Sequence, residues 1–534
     1  MSHKIWVKYD ETKPELLPRL DYVDIEDITL RRHGEEVDLE LNMNNNKPLQ
    51  VITKGKKRKK DEEEQDKNQN WILKSMKNDL VNLPSSTITT NFERLEKNQD
   101  HPPEYAGRPV SWFCDAFVQF HQDLKDTGPI SKKYYDIALK LCMEMSKIYP
   151  NKKARTKAFD DCFLNFDDSS YGFQTNFNFQ EIILENNQKS DGFILHHVKE
   201  ALIGNREIKN EIGTSWLDPY SQGAYSWINY WTNKSDDFWK KRCCCPSFII
   251  SLAGPWMMIS GAILLETPVV HPLTSYIPLL ATIDTNNMKL IARIFWAIER
   301  GFNNLRIYYD KVALIKMKPS PQSDEINTPQ HYFPKNTITI NDHLYNIVYI
   351  KPLKDKLQRA KIYLAKMKYD ERSSWPIIVK FTQQYNFEAH QICADKGYAP
   401  ELIAISDIGD WKMIIMEYID GDTLDTLQLE DNVFHDIQTA IQFLHDKDIV
   451  FGDLRMCNVM VRESDKRGML IDFEWAGKEN VDHYPPFMNH TQVAWPEGAV
   501  DDQPLKKEHD LIWLDRIKIG NTGTIFSGFN CIEW

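Results

Sequence analysis

No C-x-x-C pair stands among the nine cysteines of this 534-residue chain. Their number is odd and they are scattered, apart from Cys243-Cys244-Cys245, and adjacent cysteines rarely bridge each other. A thiolate zinc module of the usual spacing is therefore excluded, and a reducing compartment is the simplest expectation. Excess basic charge is lacking too. With 65 Lys and Arg against 77 Asp and Glu the net charge is −12, which excludes a generally basic nucleic-acid coat but not a local basic groove. The N-terminal MSHKIWVKYDETK has no long apolar core, so no ordinary signal peptide is expected. Phe248 to Leu265 is uncharged and near the lower length limit of a membrane span, yet Gly254-Pro255 inside it is a strong turn signal. It is expected to form two buried strands, with no transmembrane helix and no membrane partner.

Hydrophobic residues make up 42% and aromatic residues 12%, which suits globular cores, and the length calls for two or three domains. Residues 1–52 read as a small β-rich header, possible as a ubiquitin-like fold, with a strand at Lys4 to Tyr9. Residues 53–70 carry Lys54-Gly55-Lys56-Lys57-Arg58-Lys59-Lys60 followed by Asp61-Glu62-Glu63-Glu64, the composition of a disordered linker. The Lys56–Lys60 cluster is either a nuclear localisation signal or simply solvated charge. A second unit is expected over 71–310, with helices at Trp112 to Leu124, Lys132 to Tyr149 and Met288 to Arg306. A Pro-rich linker covers 311–334, a third unit 335–516, and an uninterpreted tail 517–534.

The most informative stretch runs from Ile449 to Gly477, IVFGDLRMCNVMVRESDKRGMLIDFEWAG. Val459-Met460-Val461 and Met469-Leu470-Ile471 read as two strands joined by a polar turn. Such a hairpin brings its outer ends together, so Asp453, Asn458 and Asp472 are expected to converge. Phosphoryl transfer needs that trio: a carboxylate to orient the attacking hydroxyl and take its proton, and an amide and a second carboxylate to hold magnesium on the phosphates. Upstream, Pro376 to Phe381 puts a lone Lys380 in an apolar strand, where a buried ammonium needs an anionic partner. The helix over Phe387 to Lys396 offers Glu388. Trp411 to Tyr418 reads as a strand, and 433–444 as a helix with Val433, Ile437, Ile441 and Leu444 on one face. Asp420, Asp422, Asp425, Glu430 and Asp431 make the neighbourhood acidic, which suits a basic substrate or merely a solvated face.

D-L-R-x-x-N followed by I-D-F-E-W resembles the catalytic and metal-binding loops of the protein kinase-like superfamily. The resemblance implies a bilobal fold with ATP and Mg2+. It makes Asp453 the base, Arg455 a stabiliser of phosphate charge, and Asn458 and Asp472 the metal ligands. Lys380 contacts the phosphates and pairs with Glu388, and Glu417 and Tyr418 offer backbone groups to adenine. Three departures stand out. No glycine lies between Tyr349 and Lys366, so a Gly-rich loop is missing; Phe451-Gly452 replaces His-Arg; and Asp-Phe-Glu replaces Asp-Phe-Gly. The last two also resemble aminoglycoside and choline kinases.

In the second unit Asp191 precedes an apolar run, and if Arg206 to Glu211 is a strand, Glu207, Lys209 and Glu211 share one face. Asp218-Pro219 signals a helix start, and Gln222, Tyr225 and Asn229 share a side of that helix. An acid, Glu-x-Lys and a helical Gln resemble the PD-(D/E)xK restriction-endonuclease-like nucleases, although an exposed strand face with alternating charge reads the same way. The resemblance makes Asp191 and Glu207 magnesium ligands and Lys209 the residue that orients and deprotonates water. A proline expected before Asp191 is Ser190.

Taken in order, a header, a restriction-endonuclease-like α/β domain and a bilobal protein kinase-like domain resemble fungal Crinkler-type effectors. The fold class expected is multidomain α/β and α+β. The function expected is ATP- and magnesium-dependent phosphotransfer, with protein Ser/Thr hydroxyls as substrate. The alternatives are a metal-dependent DNA nuclease regulated by the kinase unit, or a non-catalytic pseudokinase scaffold. A protein partner, nucleic acid at the nuclease-like unit and an intracellular, nuclear destination complete the expectation.

Overall fold

In the computed structural model, residues 108–163, 177–181, 191–213, 218–234, 237–281, 285–315, 329–353, 360–369, 373–491 and 493–520 are described, with short strands inside 5–53. The chain divides into two compact units, Met1–Leu83 and Pro84–Trp534. In the first, Ile5–Val7 pairs antiparallel with Glu15–Leu17, and Ile28–Arg32 pairs with both Glu35–Glu36 and Gln50–Thr53. The Lys56–Lys60 cluster, Ser190, most of the linker ahead of residue 329 and the tail beyond 520 lie outside the described residues.

The larger unit begins with three helices, α1 (Asp115–Lys125), α2 (Lys132–Met145) and α3 (Lys152–Asp161). A mixed sheet follows: β1 (Phe193–Leu195), β2 (Leu202–Lys209), β3 (Ser247–Ala253), β4 (Trp256–Leu264) and β5 (Pro268–Pro272), ordered β5-β4-β3-β2-β1. β2 and β3 are parallel and the other pairs antiparallel. The parallel step is made by α4 (Pro219–Asn233), which starts as the sequence indicates. Asp218 accepts from the Ser221 N–H at 3.0 Å, and Pro219 stands in the first turn, where its missing donor costs nothing. The uncharged run at 248–265 forms the β3–β4 hairpin, and no helix among the described residues is long and apolar enough to cross a membrane. The long helix α5 (Thr285–Leu314) extends well past the Met288–Arg306 span expected. It lies close on the sheet because a Cβ at Gly204 would meet the Phe302 ring at 2.8 Å, and one at Gly301 the Phe248 ring at 2.7 Å. The opposite face of β2, carrying Asn205, Glu207 and Lys209, looks toward α4, where the Asn205 amide donates to the Gly223 carbonyl at 2.7 Å.

Other boundaries move too. The strand expected at 206–211 begins at Leu202 and ends at Lys209, so Glu211 falls beyond it and pairs with Arg155 instead. Residues 329–334 do not behave as linker. Gln330 bonds both the Tyr349 N–H and its carbonyl at 2.9 Å, and the Tyr332 carbonyl accepts from Arg108 at 2.8 Å.

A six-stranded antiparallel sheet comes next: β6 (Thr337–Ile340), β7 (His343–Pro352), β8 (Ile362–Lys368), β9 (Ser374–Thr382), β10 (Leu402–Ile408) and β11 (Trp411–Glu417), ordered β6-β7-β8-β9-β11-β10. α6 (Phe387–Ala394) lies between β9 and β10 in the chain. Below it stand β12 (Gly421–Thr423), α7 (Asp431–His445), the hairpin β13 (Val459–Arg462) and β14 (Gly468–Leu470), and α8 (Lys507–Gly520). One core fills the sheet, with Tyr349, Tyr363, Val379, Phe381 and Ile415; another joins Ile437, Ile441 and Leu444 of α7 to Phe451, Leu454, Leu470 and Phe473. β6 and β10 were not expected from the sequence.

Candidate functional site

The hairpin pairs Val459 with Leu470, and one step further the Ile471 N–H bonds the Asn458 carbonyl at 3.1 Å. Its outer ends are thereby locked, and Asp453, Asn458 and Asp472 share one neighbourhood. Asp453 is buried, at 7% exposure. Its carboxylate takes a two-pronged bond from Arg455, 2.5 Å from Nε to Oδ1 and 2.6 Å from Nη2 to Oδ2. The Asn458 amide adds a bond to Oδ2 at 2.9 Å and another to the Asp453 carbonyl at 2.9 Å, leaving the amide oxygen as its other polar group. Burial pushes the Asp453 carboxyl up, Arg455 and Asn458 oppose this, and the Asp472 charge adds to it. The Arg455 guanidinium also lies over the Trp495 ring at 5.4 Å, and Trp495 stacks on Trp475.

Lys380 on β9 reaches the same place from the sheet. Its ammonium lies 2.8 Å from Asp472 Oδ2 and 2.8 Å from Glu474 Oε1. Burial disfavours that charge, but the two carboxylates hold Lys380 well above the usual lysine range. Burial likewise pushes the Glu474 carboxyl up, against the pull of Lys380. The expected Lys380–Glu388 pair is not formed. Glu388 is exposed in the first turn of α6, where Ala389, His390 and Cys393 take the inward positions. Glu474 stands in its place, two residues after Asp472, where the chain bends and the Glu474 N–H bonds Asp472 Oδ1 at 3.1 Å. That spacing is legible in the sequence as Asp-Phe-Glu.

α6 is instead tied to the Asp472 segment through other residues. The Asn386 N–H bonds the Phe473 carbonyl at 3.1 Å, and its amide bonds the Ala476 carbonyl at 3.1 Å. The His390 ring stacks on Phe473 at 4.7 Å. His390 Nε2 meets the Pro400 carbonyl at 2.8 Å and so carries the proton, while Nδ1 accepts from the Tyr385 hydroxyl at 2.8 Å. Burial lowers this imidazole to about 4. Asp510 on α8 was missed as well. Fully buried, it accepts from the Phe451 and Gly452 N–H groups at 2.8 and 3.0 Å and from His445 at 2.9 Å, so it fixes the backbone just before Asp453. Glu417 ends β11, its N–H bonding the Glu401 carbonyl at 2.9 Å, and Tyr418 follows, exposed, before β12.

A second cluster lies on the mixed sheet. Asp191 Oδ2 accepts from the Ile208 N–H at 2.8 Å, which sets its carboxylate beside β2. Glu207 is 1% exposed; Lys209 lies 3.6 Å from it and donates to Gln222 on α4. Burial and the Asp191 charge push the Glu207 carboxyl up to about 7, against the opposing pull of Lys152. Burial lowers the Lys209 ammonium. Lys152, at the start of α3, stands 2.6 Å from Asp191 Oδ2 and 2.9 Å from Glu207 Oε1. Burial works against its charge, but the two acids hold it above the usual lysine range. No short-range sequence pattern marks Lys152, which lies 55 residues before Glu207.

The donor sets of both clusters suit a hard divalent cation: Asp472, Glu474 and the Asn458 amide in one, Asp191 and Glu207 in the other. His196, His197 and Asp310 also gather, with His196 Nε2 3.1 Å from Asp310 Oδ1. There, His196 Nδ1 accepts from the Val198 N–H at 3.2 Å, so the neutral ring keeps its proton on Nε2 and has no lone pair to give a metal.

Residues 378–481, which carry Lys380, Asp453, Asn458, Asp472 and Glu474, match a kinase-like family whose model is described as "Lipopolysaccharide core biosynthesis protein (WaaY)". The match takes in the β9 lysine, the hairpin and the Asp472 segment, and spans well under half of the chain. Among solved structures, the chain is similar to the PK-1 kinase of Cydia pomonella granulovirus. That likeness is at 19% identity over 34% of this chain and 69% of that one, with a TM-score of 0.28. No curated protein matches the chain.

Proposed function

We propose that the kinase-like unit is an ATP- and magnesium-dependent phosphotransferase acting on a hydroxyl, with protein Ser and Thr as its first substrate class. The observation that carries this reading is the gathering of Lys380, Asp453, Asn458, Asp472 and Glu474 around one small volume, each held by hydrogen bonds or ion pairs. In it Asp453 orients the substrate hydroxyl and takes its proton; its raised pKa suits a group that must bind one. Lys380 exchanges its carboxylate partners for nucleotide phosphate. Asn458, Asp472 and Glu474 hold magnesium, which neutralises phosphate charge when bound. Arg455 keeps Asp453 aligned and adds positive charge nearby. Glu417 and Tyr418 offer backbone groups to the adenine. The acidic residues from Asp420 to Asp431 favour a basic partner, while the description of the matched family adds sugar hydroxyls to the substrates worth screening.

The test is transfer of labelled γ-phosphate to a panel of basic proteins, peptides and saccharides by the full chain. Asp453→Asn is expected to lower turnover about 10²- to 10⁴-fold while nucleotide still binds. Transfer undiminished in that variant would remove Asp453 from the chemistry. Nucleotide binding with no transfer to any acceptor would favour the scaffold reading.

A second reading concerns the mixed sheet. The Lys209–Gln222 bond beside Asp191 and Glu207 supports a metal-dependent nuclease-type site and, with the kinase-like unit behind it, a Crinkler-type arrangement acting on DNA in the nucleus. Magnesium-dependent DNA cleavage that is lost in Lys209→Ala would support it; a chain that cleaves no DNA would count against it.

A further inference from the structure

We propose that Lys152 is a built-in counter-cation of the Asp191–Glu207 pair, occupying the place a divalent cation takes, so that a cation loads only when Lys152 swings out. The inference rests on the reading of these carboxylates as a metal site. Lys152 Nζ bridges the two acids at 2.6 and 2.9 Å, one oxygen from each. A magnesium ion needs the same oxygens at about 2.0–2.1 Å, so ammonium and metal exclude each other. The neighbouring cations do not fill this role: Lys209 is turned to Gln222 and stands 3.6 Å from Glu207, and Arg206 bonds the Asp191 backbone carbonyl at 2.6 Å.

The placement of Lys152 is built in from its own helix. Asn151 caps α3 by accepting the Ala154 N–H at 3.0 Å. Arg155, 1% exposed, pins the first turn through the Met145 carbonyl at 3.0 Å and Glu211 Oε1 at 2.5 Å. The Lys152 side chain starts from a fixed backbone, yet is 38% exposed, whereas Glu207 is 1% exposed. The ammonium can therefore leave to water on its flexible stem while the acids stay. Lys152 brings one positive charge to these two oxygens, with Lys209 further off at 3.6 Å from Glu207, whereas a divalent ion brings two charges to the same oxygens. Lys152 thus stabilises the metal-free fold and weakens cation binding by competition.

The experiment is titration of the metal-free full chain with Mn2+ alone, in an Asp472→Ala background that removes the other candidate cation site, read by calorimetry and by thermal shift. It compares the wild type with Lys152→Met, Lys152→Arg and Lys152→Met/Asp191→Asn. Lys152→Met keeps the stem and removes the charge. It is expected to bind Mn2+ about tenfold tighter or more and to melt below wild type without metal. Lys152→Arg keeps the charge and is expected to bind no tighter than wild type. Adding Asp191→Asn is expected to abolish the gain. Unchanged affinity in Lys152→Met, with binding still lost on Asp191→Asn, would overturn the counter-cation role and leave the metal site standing. Binding that ignores Asp191→Asn, or is absent in both wild type and Lys152→Met, would overturn the metal site itself and this inference with it.

Discussion

Lys380 shows how a buried charge selects its partners. Its two acids come from one short segment, Asp472 and Glu474, rather than from the helix beside it. A Glu474→Gln substitution is therefore expected to cost about 1–3 kcal/mol of stability, since it leaves the ammonium half-compensated. Glu388→Gln, on the exposed face of α6, should stay within about 0.5 kcal/mol. Thermal melts of the two variants check the contrast. Glu207 supplies a pH signature. Its folded-state pKa is raised to about 7 by burial, from the ordinary 4.5 of a glutamate. The fold thus prefers the protonated acid, and the stability Glu207 contributes is fullest below about 4.5 and declines as pH rises through 7. Glu207→Gln mimics the neutral form. In metal-free buffer it should melt above wild type at pH 8, with the gap closing toward pH 4; a gap that is flat with pH would contradict the assignment. Lys380, Asp453, Asn458 and Asp472 could be read from the sequence because their setting is local. Lys152 and Asp510 could not, since each acts on residues dozens of positions away in the chain.

At the scale of elements, the hairpin β13–β14 was legible because apolar strand residues flank a polar turn. Its strand partner β12 was not, because three residues carry no period. The contact is tight all the same: a Cβ at Gly421 would stand 2.1 Å from the Val461 carbonyl. Gly421→Ala is expected to push β12 off β13 and lower the melting temperature, whereas Gly213→Ala, where nothing lies within 4 Å, tests a positive φ alone. Asp510 has the larger reach. Replacing it with Ala strands two buried N–H groups at Phe451 and Gly452, at about 1–3 kcal/mol each, and loosens the turn that carries Asp453. A loss of turnover larger than the loss of nucleotide binding is the expected pattern. The helix α6 was legible, but its inward face was not. Only eight residues long, it shows too little pattern to say that His390 rather than Glu388 faces the site.

At the scale of the whole molecule, the two halves of Pro84–Trp534 were expected as domains joined by a linker, but they share a core. Trp112, ahead of α1, stacks on Phe381 at 4.5 Å and meets Trp411 edge-on at 5.0 Å, one residue along from Lys380. Lys335 closes the same seam, its N–H on the Trp112 carbonyl at 2.6 Å and its ammonium on Asp115 at 2.9 Å. Nothing in the sequence links residue 112 to residue 381, since the contact is made only by the fold. Trp112→Ala is expected to cost about 3–5 kcal/mol, and a fragment beginning at residue 329 should melt below the full chain. The nucleotide site is the centre of the proposed chemistry. The direct measurement is the thermal shift of the full chain with Mg-ATP beside an Asp472→Ala variant. At 100 times the dissociation constant, ligand should stabilise the wild type by about 2.7 kcal/mol, only with magnesium present, and leave the variant unmoved. No shift in the wild type at millimolar Mg-ATP would contradict the proposed phosphotransferase.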